Sequence, residues 1–332
     1  MLNINGVDIA AIASTVPAAK ISNFSLAESF GEAEVKKIIK NIGVETRHVA
    51  SVTQTTSDFC YESAIRVIKE LEWESESIGA LIFVSQTPDY QLPATACVLQ
   101  AKLGLSKKTI AFDVNLGCSG YVYGLYLAAS LINSGIERVL LLVGDTSSKL
   151  VKKNDRSTEL LFGDAGTATG LQKKIGKKLS FTLGSDGTGF EHIIAKDKSI
   201  QDSAERGMSS AYLAMDGGEV FQFTLAAVPE MINNFMTELG VASTDINACI
   251  YHQANRFMLK HLSKKSGFTT EQVPLSIVEY GNTSSASIPL TLCSQNIINR
   301  ESILMAGFGV GLSWGAVYAD LSETALLAVV EV

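Results

Sequence analysis

The sequence predicts an α/β protein in which helices and buried strands alternate, and the second half of the chain repeats the theme of the first. Two observations indicate this class. Short apolar runs with the length of strands alternate with longer stretches of helical periodicity. Hydrophobic residues make up 46% of the 332 residues and charged residues 18%, a balance typical of a chain that folds around a large core.

The elements of the first half follow one another as expected for layers of strands and helices. The N-terminal stretch carries Asp8 inside an apolar run and is predicted to be the first strand. Helices are predicted over 57–71 and 119–134, where apolar residues recur with a helical period. Apolar runs that suit strands buried on both faces lie at 79–85, 109–114 and 138–144.

The second half shows the same alternation. A lysine-rich segment with glycine at 172–178 precedes a new strand-like run and marks the predicted border between the halves, so we divide the chain into residues 1–172 and 173–332. Since no long linker or low-complexity tract separates them, both halves are expected to share one body. The predicted helices lie near 219–239, 255–266 and 285–298, and the predicted strands at 247–251 and 302–306.

Cysteine usage, net charge and the N-terminus restrict the function. The five cysteines are widely spaced, without a CxxC pair or a cysteine/histidine cluster, which disfavours a disulfide scaffold and a metal site. A net charge of −7 disfavours nucleic acid as a partner. The N-terminus has no basic leader, and no apolar run approaches the roughly 20 residues that span a bilayer, so we expect a cytoplasmic protein without a membrane span.

Cys118 is the candidate nucleophile. It lies in DVNLGCSGYVYGL, where an extended run ends at 113–115 and a helix begins just after the cysteine. The positive end of the helix dipole and the free N–H groups there are expected to favour the thiolate. A cysteine seen alone is more often structural, but a strand-to-helix turn with Gly117 and Gly120 favours chemistry at Cys118. We interpret the other four as structural: Cys60, Cys97, Cys249 and Cys293.

Two further residues, at a strand end and in a turn, are candidates for the same site. His252 directly follows the strand predicted at 247–251, and active sites of layered α/β folds gather where strands end. Asn282 lies in a glycine-containing turn, where an asparagine is ordinarily a cap or turn residue. Gly307, Gly309 and Gly311 lie between two predicted strands, in a loop whose backbone amides could point at an oxyanion. The remaining histidines have no accompanying motif and are interpreted as surface or structural residues: His48, His192 and His261.

Together these residues resemble the β-ketoacyl-acyl carrier protein synthase III family of the thiolase superfamily. Four blocks carry the resemblance: FDVNLGCSGYVYGL, LFGDAGTA, YHQANRFM, and YGNTSSASIPL followed by GFGVGLSWGA. A fifth region, TPDYQLPATACVLQAKLG, extends it over nearly the whole chain. The resemblance implies a five-layered α-β-α-β-α thiolase fold made of two similar halves, usually a homodimer.

The resemblance also implies a catalytic triad of Cys118, His252 and Asn282, the three residues that the local patterns indicate. In the implied mechanism Cys118 attacks an acyl thioester, and the backbone N–H groups of Cys118 and Val310 stabilise the oxyanion. Neutral His252 and Asn282 then donate hydrogen bonds to a malonyl thioester as it loses carbon dioxide, and its carbanion attacks the acyl-cysteine. Phe308 is assigned to the substrate pocket. The product is a 3-oxoacyl-acyl carrier protein, and no metal or redox cofactor is required.

Residues around the implied substrate pocket depart from the family pattern. Lys37 and Asn41 stand at the approximate positions of a tryptophan and an arginine that hold the adenine of coenzyme A in the family, whereas Arg156 matches a second adenine-stacking arginine. Val310 replaces a common glycine. Leu92 replaces a common phenylalanine at the pocket end that is contributed across the dimer. These changes indicate an altered acyl primer without identifying it.

Basic residues on the helix after His252 form a candidate docking face for a partner. Arg256, Lys260 and Lys264 recur at i, i+4 and i+8, with Lys265 beside them. An ordinary solvated helix surface would show the same pattern. The resemblance favours docking of an acidic acyl carrier protein on this face.

Two other functions stay open on sequence alone. One keeps the acyl-cysteine but transfers the acyl group to an alcohol or amine in a surface-glycan or secondary pathway, instead of starting a fatty-acid-like chain. The altered primer-entry region at 37–41 makes this credible. The other is a non-catalytic thiolase-fold subunit that pairs with an active partner, but such a protein is expected to have lost its triad.

Overall fold

The alternation of strands and helices predicted for the first half is present in the computed structural model, which describes residues 1–195 and 212–332. The strands of the first half are β1 (Leu2–Val16), β2 (Lys20–Ser22), β3 (Thr46–His48), β4 (Ala80–Val84), β5 (Ile110–Val114), β6 (Arg138–Asp145) and β7 (Ala165–Ser185). The helices are α1 (Ala27–Phe30), α2 (Glu32–Ile42), α3 (Thr56–Glu70), α4 (Thr95–Lys102) and α5 (Gly120–Asn133).

The second half continues with shorter strands and one long helix. Its strands are β8 (Ile193–Ile194), β9 (Ala214–Met215), β10 (Ala248–Tyr251), β11 (Ile303–Gly309), β12 (Ser313–Ala319), β13 (Ala325–Leu326) and β14 (Val330–Glu331). Its helices are α6 (Gly217–Leu239), α7 (Arg256–Lys265), α8 (Ile277–Tyr280) and α9 (Ser287–Ser294). Within the described ranges, no helix is both long enough and apolar enough to cross a bilayer.

The two long strands β1 and β7 join the halves into one hydrogen-bonded network of ten strands. The main path runs β10-β11-β12-β7-β6-β4-β5, and β1 pairs with β7, β13 and β14. The first part of β7 pairs with β6, and its last residues pair with β12. Because β7 serves a sheet region of each half, the strand ends of both halves are held in a fixed relation to one another.

Side-chain alternation along these strands builds the five layers. In β4, Leu81 and Phe83 pack under α3 and α4, whereas Ile82 and Val84 point to the opposite side and contact α5. In β10, Ile250 joins the same central cluster as α5 and α9, whereas its neighbours pack against α6 and α7. The order is therefore α3/α4, sheet, α5/α9, sheet, α6/α7, which confirms the α-β-α-β-α thiolase fold.

Two details of the sequence prediction are wrong. No new strand begins after 172–178, because β7 runs through this segment; Lys173 and Lys178 pair with Val7 and Asn5 of β1, with an irregularity around Gly176 between them. The lysines mark the exposed part of a strand, and the division at residue 172 stays a prediction. The helix predicted near 285–298 is also shorter, because a 3₁₀ turn precedes α9 and the chain is extended at position 295.

Candidate active site

One cavity of about 110 Å³ receives side chains from both halves of the chain. Its lining includes all three predicted triad residues, which come from the start of α5, the end of β10 and the turn before α9. Val310 and Phe308 line it as well, so the structure brings together five of the residues that the sequence singles out. The remaining wall is largely apolar and includes Leu150, Leu161, Phe162, Ile193, Leu213, Met215, Val220 and Met258.

Cys118 lies between the end of β5 and the first turn of α5, as predicted, and is almost completely buried. Its own backbone N–H and that of Val310 both act to lower the pKa of the thiol. The loop can approach this closely because residue 309 is glycine: a Cβ there would lie 2.9 Å from the Cys118 Sγ, and its φ is +154°. The role of these two N–H groups as oxyanion donors stays a prediction.

Burial of Cys118 opposes the ionisation that its place at the helix terminus favours. Burial, and secondly the charge of Asp145, raise the pKa of Cys118 to about 11, although the N–H groups and the Ser284 hydroxyl oppose this effect. The position at the helix terminus is as predicted, and the preference for thiolate stays a prediction that burial opposes. Only the folded structure reveals this burial.

His252 is held rigidly at the end of β10. Its backbone N–H donates to the carbonyl of Ala306 in the neighbouring strand (2.7 Å), and its ring Nδ1 is hydrogen-bonded to the Ser287 hydroxyl at 2.7 Å. The ring edge packs against Phe308, with 5.5 Å between centroids. Burial lowers the pKa of His252 to about 3, so the imidazole is neutral at physiological pH.

Asn282 is fixed by a bridge to the LFGDAGTA block. Its backbone N–H donates to the Leu161 carbonyl (2.9 Å), and its backbone carbonyl accepts from the Gly163 N–H (3.1 Å). The side-chain Oδ1 accepts from the Ser284 N–H (2.9 Å), whereas Nδ2 makes only a long contact of 3.5 Å with the Ala254 carbonyl. The acceptor of this amide is thus occupied, and its N–H donors remain available to a ligand.

Asp145 and Ser284 line the same cavity and were not found by the sequence analysis. Asp145 ends β6 and is 1% exposed. Ser284 adopts a left-handed backbone conformation (φ +50°) in the turn after Asn282. Its hydroxyl favours the ionised forms of both Cys118 and Asp145. An acidic residue at the carboxyl end of a buried strand is the signal that could have found Asp145.

Two predicted substrate residues lie outside this cavity. Leu92 is 80% exposed on the loop before α4. Arg156 is exposed, and its guanidinium carbon lies 5.9 Å from the centre of the Phe30 ring. Lys37 and Asn41 are exposed on α2. The cavity of one chain therefore does not bring these residues to Cys118.

The predicted docking residues all lie on α7, but they are not equivalent. Lys260 and Lys264 are exposed, and the Lys265 ammonium donates to the Leu225 carbonyl of α6 at 3.1 Å. Arg256 is half-buried, since its side chain packs against Gly43 at the end of α2. The first turn of α7 also lines the cavity, so the exposed lysines lie on the same helix as part of the site wall.

Comparison with known proteins shows that the similarity extends over almost the whole chain. A family model described as 3-oxoacyl-[acyl-carrier-protein (ACP)] synthase III matches residues 112–187, and the model of its C terminal part matches residues 236–321. A putative 3-oxoacyl-[acyl-carrier-protein] synthase 3 from Campylobacter jejuni is 32% identical over 333 residues, covering 95% of this chain and 94% of the relative. The β-ketoacyl-[acyl-carrier-protein] synthase III of Geobacillus kaustophilus is 34% identical, covering 94% and 98%.

A solved structure agrees over the full length. The crystal structure of 3-oxoacyl-(acyl-carrier protein) synthase from Burkholderia xenovorans LB400 superimposes with a TM-score of 0.93 at 41% identity, covering 100% of this chain and 98% of the other. The two family models contain the segments that bring Cys118, His252 and Asn282 into one cavity. Because curated relatives also match almost end to end, this chain belongs to the 3-oxoacyl-[acyl-carrier-protein] synthase III family.

Proposed function

We propose that this protein is a condensing acyltransferase of the 3-oxoacyl-[acyl-carrier-protein] synthase III type. An acyl group from an acyl thioester is loaded on Cys118 and condensed with malonyl-acyl carrier protein, giving 3-oxoacyl-acyl carrier protein, carbon dioxide and a free thiol. One observation carries this proposal: a cysteine, a neutral histidine and an asparagine whose Nδ2 makes only a long contact of 3.5 Å, contributed by both halves, line one largely apolar cavity.

In the first half-reaction the Cys118 sulfur attacks the thioester carbonyl. The N–H groups of Cys118 and Val310 are the proposed donors to the negative charge that develops on the carbonyl oxygen, and both lower the pKa of the thiol. Because these donors belong to the backbone, they are in position before the substrate binds and need no reorganisation. The acyl chain extends along the apolar wall of the cavity.

In the second half-reaction a malonyl thioester replaces the departed thiol. Decarboxylation turns its thioester carbonyl into an enolate, so hydrogen-bond donors at that oxygen lower the barrier. Neutral His252 and the Asn282 amide are the proposed donors. The hydrogen bonds that hold these two side chains fit this role, since the Ser287 hydroxyl orients the imidazole and the Ser284 N–H orients the amide. The enolate carbon then attacks the acyl-Cys118 thioester.

Two interactions with macromolecules belong to the proposal. An acidic acyl carrier protein docks on the exposed lysines of α7, and a second copy of the chain binds along β5. Strand β5 ends the main path of the sheet, and Ile110 on it is 44% exposed. Tyr90 and Leu92 add exposed apolar surface in the loop before α4. Uncovered apolar surface beside a strand edge favours association.

The full reaction tests this function. Purified protein is mixed with coenzyme A thioesters of different chain length and with malonyl-acyl carrier protein carrying a labelled carboxyl group, and released carbon dioxide and the carrier-bound product are measured. We expect equal amounts of carbon dioxide and 3-oxoacyl product. Formation of an ester or amide without carbon dioxide release would instead support acyl transfer to another acceptor.

The variant Asn282→Ala distinguishes acyl loading from the condensation step. In Asn282→Ala the acyl-enzyme should still form, because the oxyanion donors at Cys118 and Val310 are unchanged. Carbon dioxide release should fall about 10²-fold or more, since one donor to the enolate is lost. The matched control is Asn233→Ala, because Asn233 is exposed on α6 and lies outside the cavity. Normal condensation by Asn282→Ala would refute the role of this residue.

A further inference from the structure

The neutral imidazole of His252 carries one proton, and the step proposed for it depends on which ring nitrogen holds that proton. Burial keeps the ring neutral by lowering its pKa to about 3, so the proton lies on either Nδ1 or Nε2. Nδ1 faces Ser287. Nε2 forms no hydrogen bond with any residue of 1–195 and 212–332, although the ring lines the cavity. A proton on Nε2 is therefore the one that the ring can donate to a ligand.

The hydroxyl of Ser287 has two hydrogen-bonding neighbours. Its oxygen lies 2.7 Å from Nδ1 of His252 and 3.3 Å from the backbone nitrogen of Gln253. Because the Gln253 N–H can only donate, the Ser287 oxygen is its acceptor. Within the described ranges this hydroxyl has no further partner, and the residue is 1% exposed. The hydroxyl proton therefore has one acceptor within reach, an unprotonated Nδ1 of His252.

The direction of this hydroxyl is not the one that a helix normally gives to a serine. Ser and Thr hydroxyls inside helices often donate to the carbonyl four residues earlier. Thr291 does so in α9, since its hydroxyl donates to the Ser287 carbonyl at 2.7 Å. Ser287 is the first residue of α9, and its own hydroxyl turns across to the residues that follow β10. Its orientation is therefore set by contacts between elements.

Gln253, the donor to this oxygen, is held by its own side chain. Its Nε2 donates to the Tyr251 carbonyl (2.9 Å), and its Oε1 accepts from the N–H groups of Ser276 (3.0 Å) and Ile277 (3.3 Å). The side chain is fully buried. These bonds join the end of β10 to the start of α8, so the Gln253 N–H keeps its direction toward Ser287.

The two tautomers of His252 differ in how well these groups are satisfied. With the proton on Nε2, the Gln253 N–H donates to the Ser287 oxygen and the Ser287 hydroxyl donates to Nδ1, so each donor has an acceptor. With the proton on Nδ1, two donors would share one oxygen, and the hydroxyl proton would be buried without an acceptor. Since an unpaired buried donor is costly, the contacts favour the proton on Nε2.

We propose that a directed chain of hydrogen bonds, from the Gln253 N–H through the Ser287 hydroxyl to Nδ1 of His252, holds the imidazole in the tautomer with its proton on Nε2. Ser287 does not line the cavity, so it is a positioning residue that acts through His252. The chain presents the Nε2–H to the malonyl thioester oxygen as decarboxylation makes it an enolate oxygen. This proposal rests on the proposed condensation.

Nuclear magnetic resonance of protein labelled at its histidine nitrogens tests the tautomer directly. A ring nitrogen that carries a proton and one that does not resonate far apart, and the signals missing from His252→Asn identify those of His252. At neutral pH we expect the wild type to have a protonated Nε2 and an unprotonated, hydrogen-bonded Nδ1. A proton on Nδ1 would overturn the proposal.

Ser287→Ala removes the hydroxyl, and Ser63→Ala is the matched control. Ser63 is a buried serine of α3 outside the cavity, and its hydroxyl also has two partners, the Gly166 carbonyl (3.0 Å) and the Thr15 hydroxyl (2.8 Å). In Ser287→Ala the Nδ1 resonance should shift, because this nitrogen loses its donor, whereas Ser63→Ala should leave it in place. An unshifted Nδ1 in Ser287→Ala would show that Ser287 does not donate to it.

Two rates locate the effect of Ser287→Ala in the condensation step. Acylation of Cys118, by whichever of acetyl-, butyryl- and octanoyl-coenzyme A reacts fastest with the wild type, should keep its rate, because the imidazole has no part in the proposed loading step. Carbon dioxide release from malonyl-acyl carrier protein by the preformed acyl-enzyme should fall about tenfold or more, since the donor to the enolate is no longer held in place. A merely structural role would slow both steps.

The other outcomes decide as well. Carbon dioxide release by Ser287→Ala at the wild-type rate would refute the role of Ser287, and equal slowing in Ser63→Ala would refute it by indicating general destabilisation. If Ser287→Ala does not fold, the wild-type spectrum decides alone. A wild type that forms no acyl-enzyme, or whose acyl-enzyme releases no carbon dioxide, refutes the proposed function, whereas a condensing wild type with its proton on Nδ1 refutes only the hydrogen-bond chain.

Discussion

At the scale of single residues, the loop at Gly309 lies so close to Cys118 that a side chain at position 309 should disturb the site. In Gly309→Ala the new Cβ would lie 2.9 Å from the sulfur at a φ of +154°, so the loop must move and take the Val310 N–H with it. Loss of one oxyanion donor typically costs about 10²–10³ in rate. We expect acylation of Cys118, followed by intact mass, to slow by this factor.

Gly187→Ala is the control for this experiment, because no atom of residues 1–195 and 212–332 is recorded within 4 Å of the Cβ added at Gly187, and its φ is not positive. Acylation of Gly309→Ala at the rate of this control would show that the loop does not hold an oxyanion donor in place.

The neutral state of His252 predicts how the condensation step depends on pH. Since its pKa is lowered from 6.5 to about 3, the imidazole stays neutral as the pH falls through 6.5, and its function as a hydrogen-bond donor does not change. Carbon dioxide release by preformed acyl-enzyme should therefore show no inflection near pH 6.5. A loss of rate on the acid side with a midpoint near that value would mean that His252 titrates as an exposed histidine does.

The residues of the site differ in how visible they are in the sequence. Cys118, His252 and Asn282 stand in turns and strand ends with recognisable neighbours, so pattern and resemblance find them. Asp145 also stands at a strand end, but its partners at positions 85–86 and 285 are brought to it only by folding. The burial that raises the pKa of Cys118 could not be predicted for a related reason: a helix start can be predicted from local sequence, whereas desolvation depends on everything packed around the sulfur.

At the scale of secondary structure elements, α7 carries the prediction about the carrier protein. Lys260→Glu combined with Lys264→Glu should raise the KM for malonyl-acyl carrier protein about tenfold at low salt, because it reverses two charges that steer an acidic partner. The kcat should change little, since neither side chain lines the cavity. Steady-state kinetics at several salt concentrations measure both, and the difference should shrink as salt screens the charges.

The same change of charge on other exposed lysines provides the control. Lys69→Glu combined with Lys178→Glu alters the net charge equally but on α3 and β7. An equal effect of both pairs on KM would indicate an overall charge effect and refute α7 as the docking helix.

The strands and helices were mostly predictable, because their hydrophobic periodicities are strong. The exceptions arise where local composition is ambiguous. The lysines of 172–178 are typical of a surface loop, yet pairing with β1 keeps most of this segment within β7. The helix near 285–298 was predicted too long, because a 3₁₀ turn delays its start and the polar stretch after Ser294 does not continue it.

At the scale of the whole molecule, the proposed dimer predicts the effect of a charge on the edge of the sheet. Ile110→Lys should shift the protein from dimer to monomer, because it introduces an unpaired ammonium into the apolar edge at β5. Ile175→Lys is the matched control, as Ile175 is 96% exposed on the irregular part of β7. Sedimentation velocity checks both variants; a dimer that survives Ile110→Lys, or a monomeric wild type, would contradict this interface.

The five layers bring the Cys118 thiol of one half into the same cavity as the His252 imidazole and the Asn282 amide of the other half. The resemblance predicted this architecture, whereas composition and periodicity alone predicted only an α/β class. The central claim is that Cys118 becomes covalently acylated in this cavity. Intact mass spectrometry after incubation with acyl-coenzyme A and acyl carrier protein thioesters tests it most directly: we predict a single acyl adduct on the wild type and none on Cys118→Ala, and an adduct that persists on Cys118→Ala would contradict the account.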